Sequence, residues 1–367
     1  MSQIPLASPD IRQSDVDLVK NVLMSGMLVQ GKFVAQLENE ISKISQSNNS
    51  IALSNGTATM HLALVSLGIG KGDEVIVPAF SYVATANVVE IVGAKPVFVD
   101  INSDTFNIDV NKIEDSITSK TKAIIPVHEF GLACEIDKIM TLAKKYNLFV
   151  IEDAACALGA TINDQPVGSF GDFASFSLHP RKSITSGEGG VLNVKDSEKA
   201  NKIRQLRSHG IEIIDGKMEF VEAGYNYRMT DFQAALAVGQ LSRFKETLVK
   251  KSELAQVYFG HITNDKIKLP IIPKNCSHTW QSFHIIIDDS IEQANVINLL
   301  KKEGIGVNYG AQCIPSQKYY KSKYGFDAPK LFPNAYRAYS KGIVLPLYEK
   351  LNTENILYIS KKVNELC

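Results

Sequence analysis

The chain of 367 residues carries 39 Lys plus Arg against 39 Asp plus Glu, and it is 45% hydrophobic and 21% charged. That length and apolar share suit a globular protein with one large and one smaller domain, and the balanced charge offers no field to draw in a nucleic acid or an anionic membrane. No run nears the roughly 18 to 20 apolar residues of a bilayer span, and the amino-terminal MSQIPLASPD has neither a basic flank nor an apolar signal core, so the expectation is a soluble, cytoplasmic protein.

In chain order, Phe33, Val34, Leu37, Ile41 and Ile44 recur at helical spacing. The preceding stretch Gly26–Lys32, GMLVQGK, matches part of a phosphate-binding loop, but Phe33 stands where that motif needs a magnesium-binding Ser or Thr. The stretch also follows a helix instead of a strand. Next comes the triplet Ile51, Ala52 and Leu53, and then Asn55-Gly56-Thr57, which opens a helix over 58–67. Free amides at such a start can hold a phosphate, or Asn55 or Thr57 can serve as a plain cap.

Gly68, Gly70 and Gly72 precede a strand, so they read as a helix-terminating turn and not as a dinucleotide fingerprint. Short Val- and Ile-rich runs predict strands over 74–78, 95–101, 123–128, 149–153, 173–178 and 190–194, nearly continuous in apolar character and so buried on both faces. Ile136, Ile139, Met140 and Ala143 mark an amphipathic crossover helix. This alternation signals an α/β domain with a mainly parallel sheet. After Leu241 the pattern changes to a long charged helix over 242–259, a strand over 282–287 and a helix over 291–303. The expected division is a large domain at 1–243, including an N-terminal helical segment, and a smaller α+β domain at 244–367.

Cys134, Cys156, Cys276, Cys313 and Cys367 are odd in number and never form a C-x-x-C pair, and the histidines lack metal-binding spacing. Neither a disulfide framework nor a metal is expected. Cys156 has no adjacent His to activate it as a nucleophile.

Two residues stand out at strand ends. Asp153 closes the run FVIED, at the carboxyl edge where open α/β sheets bind ligands. Lys182 follows another strand and precedes the glycine-rich SGEGG. Helix-start amides, a hydroxyl, a carboxylate and a lysine together suit pyridoxal phosphate, with phosphate on amides and hydroxyl, aldehyde on lysine and ring nitrogen on carboxylate.

Six blocks in order carry a resemblance that runs through nearly the whole chain: SNGTATMHLAL at 54–64, GDEVIVPAFSYVATAN at 72–87, KPVFVDI at 95–101, VIEDAACALGA at 150–160, FSLHPRKSITSGEGG at 176–190 and GYNYRMTDFQAA at 224–235. The sequence resembles the DegT-type sugar aminotransferases, fold type I pyridoxal-phosphate enzymes of the aspartate aminotransferase superfamily. The resemblance implies an aspartate aminotransferase-like, seven-stranded-type sheet sandwiched by helices. It also implies Lys182 as the Schiff-base lysine, Asp153 as the partner of the pyridine nitrogen, and Gly56, Thr57 and Ser177 as phosphate contacts.

By the same resemblance Tyr82 stacks on the cofactor ring, although alone it could be a core aromatic, and Asn226 reaches the cofactor phosphate of the partner chain. A homodimer with shared active sites follows. Cys156 departs from the pattern, because many relatives carry Gln or His there, near the cofactor's ring hydroxyl, and a thiol is a weaker donor. Tyr309, Gln312, Tyr319 and Tyr320 fall where the family places a substrate-facing loop, each equally readable as packing.

The implied reaction moves the amino group of L-glutamate to a nucleotide-linked keto-deoxy sugar, most simply a 4-keto-6-deoxy sugar for a surface polysaccharide such as an O-antigen. A 3-keto sugar or cyclitol aminotransferase and a non-enzymatic pyridoxal-phosphate sensor are the alternatives.

Overall fold

Val- and Ile-rich segments too apolar to face water on either side assemble into one central sheet. The computed structural model, which describes residues 3–367, orders its seven strands Asn49–Leu53, Gly190–Val194, Phe173–Ser177, Phe149–Asp153, Thr121–Ile124, Glu74–Pro78 and Lys95–Val99. Gly190–Val194 runs antiparallel to both its neighbours and every other pairing is parallel. Glu74–Pro78 and Gly190–Val194 are buried along their whole length, as strands covered by helices on both faces must be.

The sheet differs from the sequence expectation in detail. Asn49–Leu53, read only as a triplet before a helix, is one of the two edge strands. The expected strand over 123–128 is Thr121–Ile124, because Pro126 lacks the N–H that would continue the ladder. Beyond it, Val127 still bridges Asp153. The strand from Lys95 ends at Val99, and Ile101 instead bridges Ile108.

Helices Lys32–Ser45 and Ile136–Tyr146 bury Phe33, Leu37 and Ile41, and Ile136, Ile139 and Ala143, against this sheet. Gly31, the second glycine of the rejected phosphate-loop match, serves the local packing instead. Its amide donates to Asp231 Oδ1 at 3.0 Å, and a Cβ there would lie 2.8 Å from that carboxylate.

After the helix Phe244–His261, a three-stranded antiparallel sheet forms with Phe283–Ile287 between Ile267–Lys268 and Gly342–Leu345. The helices Gln293–Lys302 and Thr353–Leu366 pack on it, with Phe283, Ile285, Ile287, Leu300 and Ile359 in its core. Ile4 bridges Ile305 and joins the same core. Gln312–Cys313 pairs with Phe80–Ser81, which ties this region to the loop after the strand Glu74–Pro78. No helix among the described residues is long and apolar enough to cross a membrane.

A buried ion pair fastens the first helix, Gln13–Ser25, to the start of Phe244–His261. Arg243 Nη2 and Nη1 donate to the two oxygens of the fully buried Asp15 at 2.6 and 3.0 Å. Burial pushes the Asp15 carboxyl up, but the hydrogen bonds and charge of Arg243, with the Arg12 amide, more than offset it and hold it below the usual 3.8. Arg243→Ala leaves that carboxylate buried and unpaired, so a loss of about 3 kcal/mol is expected in urea unfolding near neutral pH. Because the folded-state value is depressed, the pair's contribution is full above the ordinary carboxyl range. It fades as pH falls through the folded value, and the gap between variant and wild type should narrow in acid.

Candidate active site

The carboxyl ends of the parallel strands meet at one edge of the sheet, the place where such sheets bind ligands. Asn49–Leu53 is reversed twice relative to Phe173–Ser177 through the antiparallel strand between them, so its carboxyl end reaches the same edge. There it turns into the helix Gly56–Ser66. Asn55 caps that helix, its Oδ1 accepting from the Ala58 amide at 2.8 Å, while the first-turn amides of Gly56 and Thr57 need no partner inside the helix.

Two further contacts fix this corner. A Cβ on Gly56 would lie 3.1 Å from Ser177 Cβ, so Ser177 packs directly on the helix start. A Cβ on Gly190 would strike the Asn55 carbonyl carbon at 2.6 Å and the Gly56 nitrogen at 2.7 Å. Only a glycine lets strand and turn approach so closely.

Asp153 ends its strand almost fully buried, with its Oδ2 accepting from the Thr85 hydroxyl at 2.8 Å and its Oδ1 from the Ala155 amide at 3.3 Å. Burial raises its carboxyl above the ordinary value, against the pull of Thr85, the Ala155 amide, Lys182 and His128. Lys182 extends its Nζ to Cys156 Sγ at 3.1 Å. Burial also pushes the Cys156 thiol up, with Lys182 pulling the other way and Glu129 and Asp153 adding to the rise. A neutral thiol beside the amine does not make a nucleophile.

Gly56, Thr57, Tyr82, Asp153, Cys156, Ser177 and Lys182 all line one cleft of about 810 Å³. Tyr82 is 66% exposed at its rim, so the plain core-aromatic reading does not apply. The donor set fits pyridoxal phosphate. Free amides and a hydroxyl stand at one corner, an amine at another, and the buried carboxyl, costly to ionise alone, suits a cationic ring nitrogen.

Other sequence candidates lie elsewhere. Asn226 is exposed, bridging Ser208, and does not line this cleft. Of the segment expected to face substrate, Gly310 and Ala311 line the cleft, but Tyr309, Gln312, Tyr319 and Tyr320 do not. Tyr309 stands edge-on to Tyr339, Gln312 pairs with Ser81, and Tyr319 hydroxyl donates to Glu90 at 3.4 Å. Tyr320 is 1% exposed, edge-on to Phe98, with its hydroxyl on Asn87 Oδ1 at 2.6 Å, and packing is its role within the chain.

Sequence reasoning missed Glu129, Ser81 and Thr85, which also line the cleft. Thr85 and Ser81 lie inside a block already singled out, but nothing in it says that a hydroxyl would reach Asp153. Glu129 follows the run AIIPVH, and a carboxylate at a strand's carboxyl edge was the available signal.

Comparison with known proteins bears on this geometry. A UDP-4-amino-4-deoxy-L-arabinose–oxoglutarate aminotransferase of Shewanella sediminis is 36% identical over 380 residues, covering 99% of this chain and 98% of that protein. Among solved structures, a candidate sugar aminotransferase of Streptococcus pneumoniae in its PMP form superposes with a TM-score of 0.94 at 32% identity over 99% of this chain and 97% of its own. The same protein is also known in a PLP form. Helicobacter pylori PseC, an aminotransferase involved in pseudoaminic acid biosynthesis, gives 0.94 at 27% identity over 100% and 99%. The family model described as the DegT/DnrJ/EryC1/StrS aminotransferase family matches residues 9–364, and the chain belongs to that family.

Proposed function

We propose that the protein is a pyridoxal-phosphate-dependent aminotransferase that moves the amino group of L-glutamate to the keto carbon of a nucleotide-linked keto-deoxy sugar, with a 4-keto-6-deoxy sugar as first choice. The observation that carries this reading is the placement of Lys182 and Asp153 in one cleft with the unused amides of Gly56 and Thr57. The Shewanella relative supports position and donor, since its name gives an amine at carbon 4 and oxoglutarate, the keto partner of glutamate.

When bound, pyridoxal phosphate supplies an electron sink and a carbon that carries the amino group between donor and acceptor. Gly56, Thr57 and Ser177 bind its phosphate, and Tyr82 covers one face of its ring. Asp153, oriented by Thr85, keeps the ring nitrogen protonated. Lys182 holds the cofactor and, once released, moves the proton at the substrate carbon as general base. Its flexible four-carbon stem lets one neutral amine serve donor and acceptor carbons in turn.

The same reading makes the active unit a homodimer, with Asn226 of the partner subunit completing the phosphate site. Exposed apolar side chains support it: Ile213, Met218 and Phe220 on the ribbon Ile211–Phe220, and separately Met24 in the first helix and Met27 just after it, are well exposed, and clustered apolar exposure such as the ribbon's commonly marks an interface.

The test is isotopically labelled L-glutamate offered with a panel of nucleotide-linked 4-keto-6-deoxy sugars, 3-keto isomers and a cyclitol ketone, with the label located by mass spectrometry. Label on carbon 4 of a 4-keto sugar is the expected outcome. Label only on a 3-keto sugar or cyclitol would replace the substrate assignment, and no label on any ketone would favour the sensor alternative.

A further inference from the structure

One buried carboxyl in the cleft has no part in the amino-transfer reading. Glu129 is 5% exposed, lines the cleft with Asp153, Cys156 and Lys182, and its Oε2 has no hydrogen-bond partner among the described residues. The backbone holds it there. Its amide donates to Asn107 Oδ1 at 2.8 Å, and Phe130 next to it takes a left-handed φ of 55°, a conformation a bulky residue keeps only where its surroundings over-determine it. Thr279 Oγ1 locks the turn to the Cys156 segment by donating to the Cys156 carbonyl at 2.8 Å. A Cβ on Gly131 would lie 2.1 Å from Thr279 Oγ1.

Burial and geometry indicate which protonation state Glu129 takes, because its buried Oε2 would stand without a donor if the carboxyl were ionised. Burial first, and then Asp153, raise the Glu129 carboxyl to about 8, against Lys182, Ser81 and the Phe130 amide. The other ionisable groups around it are Cys156 in the cleft, Asp104, His278 and His284 behind it, and His128, whose ring is turned to Glu152 at 3.1 Å.

In pyridoxal phosphate the ring hydroxyl lies on the edge opposite the phosphate arm, next to the aldehyde-bearing carbon. Lys182 marks the aldehyde, Asp153 the nitrogen, and Gly56, Thr57 and Ser177 the phosphate edge, which leaves Glu129 and Cys156 for the hydroxyl edge. We propose that Glu129 is a cofactor-facing acid that donates a hydrogen bond to the ring hydroxyl oxygen, a duty the weak Cys156 thiol cannot fill. The inference rests on the pyridoxal-phosphate reading of the cleft.

The test titrates the visible band of the protein reconstituted with pyridoxal phosphate, with no amino donor present. A donor on the ring oxygen stabilises the form that has lost the proton shared with the Lys182 nitrogen, so its removal moves the midpoint upward. Glu129→Ala should raise the midpoint by about one pH unit. Glu129→Gln, whose amide still donates, should stay near wild type, and Cys156→Gln added to Glu129→Ala should restore it. If the alanine variant melts early or fails to bind, Glu129→Leu, closer in volume, carries the same comparison. An unchanged midpoint in Glu129→Ala or Glu129→Leu overturns the proposal, as does a lowered midpoint in Glu129→Gln, which would mean an ionised Glu129. Lack of any Lys182-dependent visible band in the wild type would instead overturn the cofactor reading.

Discussion

Lys182→Ala is expected to slow amino transfer from L-glutamate by at least about 10³-fold, a loss in the range of a positioned proton-transfer group. The same amine is asked both to hold the cofactor and to move the proton at the substrate carbon, and among the described residues no other lysine lines the cleft. Lys251 lies behind it, fully buried, with its Nζ donating to Ser183 Oγ at 3.1 Å. The proposed phosphate corner does not depend on Lys182, since Asn55 caps the helix that Gly56 and Thr57 open, and Ser177 and Gly190 pack closely against its start. Equilibrium dialysis should therefore show that the variant still binds pyridoxal phosphate, while single-turnover mixing with L-glutamate shows the loss. Near-normal single-turnover rates would sink the assigned role.

Asp153→Asn should cost roughly 10²- to 10³-fold in the same half-reaction, as removal of a preorganised charge does elsewhere. Asparagine keeps the Thr85 contact and nearly the same shape but cannot hold a proton on the ring nitrogen. Stability should move the other way. The folded-state carboxyl is raised above its ordinary 3.8, chiefly by burial, so its neutral form is the one folding prefers. Ionisation works against the unliganded fold as pH rises through the raised value, and a neutral amide removes that penalty. The unliganded variant should thus melt at or above the wild-type temperature at neutral pH while losing activity, the split expected of a residue kept for chemistry. A parallel fall in both would mark Asp153 as structural.

What the residues disclosed in advance followed from strong local physics. Continuous Val and Ile made the buried strands legible, and Asp153 and Lys182 were visible because a strand end projects its polar neighbour into the ligand edge. Boundaries slipped where one residue overrode the run, as at Pro126. The strand Asn49–Leu53 and the short pieces Ile267–Lys268 and Gly342–Leu345 exist through pairing with distant partners, Gly190–Val194 and Phe283–Ile287, which no local period announces.

The site divided in the same way. Groups placed in the cleft by a strand end or helix start were legible, whereas Thr85, Ser81 and Glu129 enter it through side-chain direction and, for Glu129, through a left-handed turn at Phe130. The 309–320 segment, read equally as substrate contact or packing, divides within one chain: Tyr320 is drawn into the core by Phe98 and Asn87, while Gly310 and Ala311 reach the cleft.

The most direct test of the central claim is the visible spectrum of the purified protein with pyridoxal phosphate before and after L-glutamate, set beside the same pair for Lys182→Ala. The account predicts a visible band in the wild type that L-glutamate bleaches as the amino group passes to the cofactor, and no such resting band in the variant. A band that L-glutamate leaves unchanged would contradict the donor assignment, and a wild type that forms no Lys182-dependent band would contradict the account of the cleft itself.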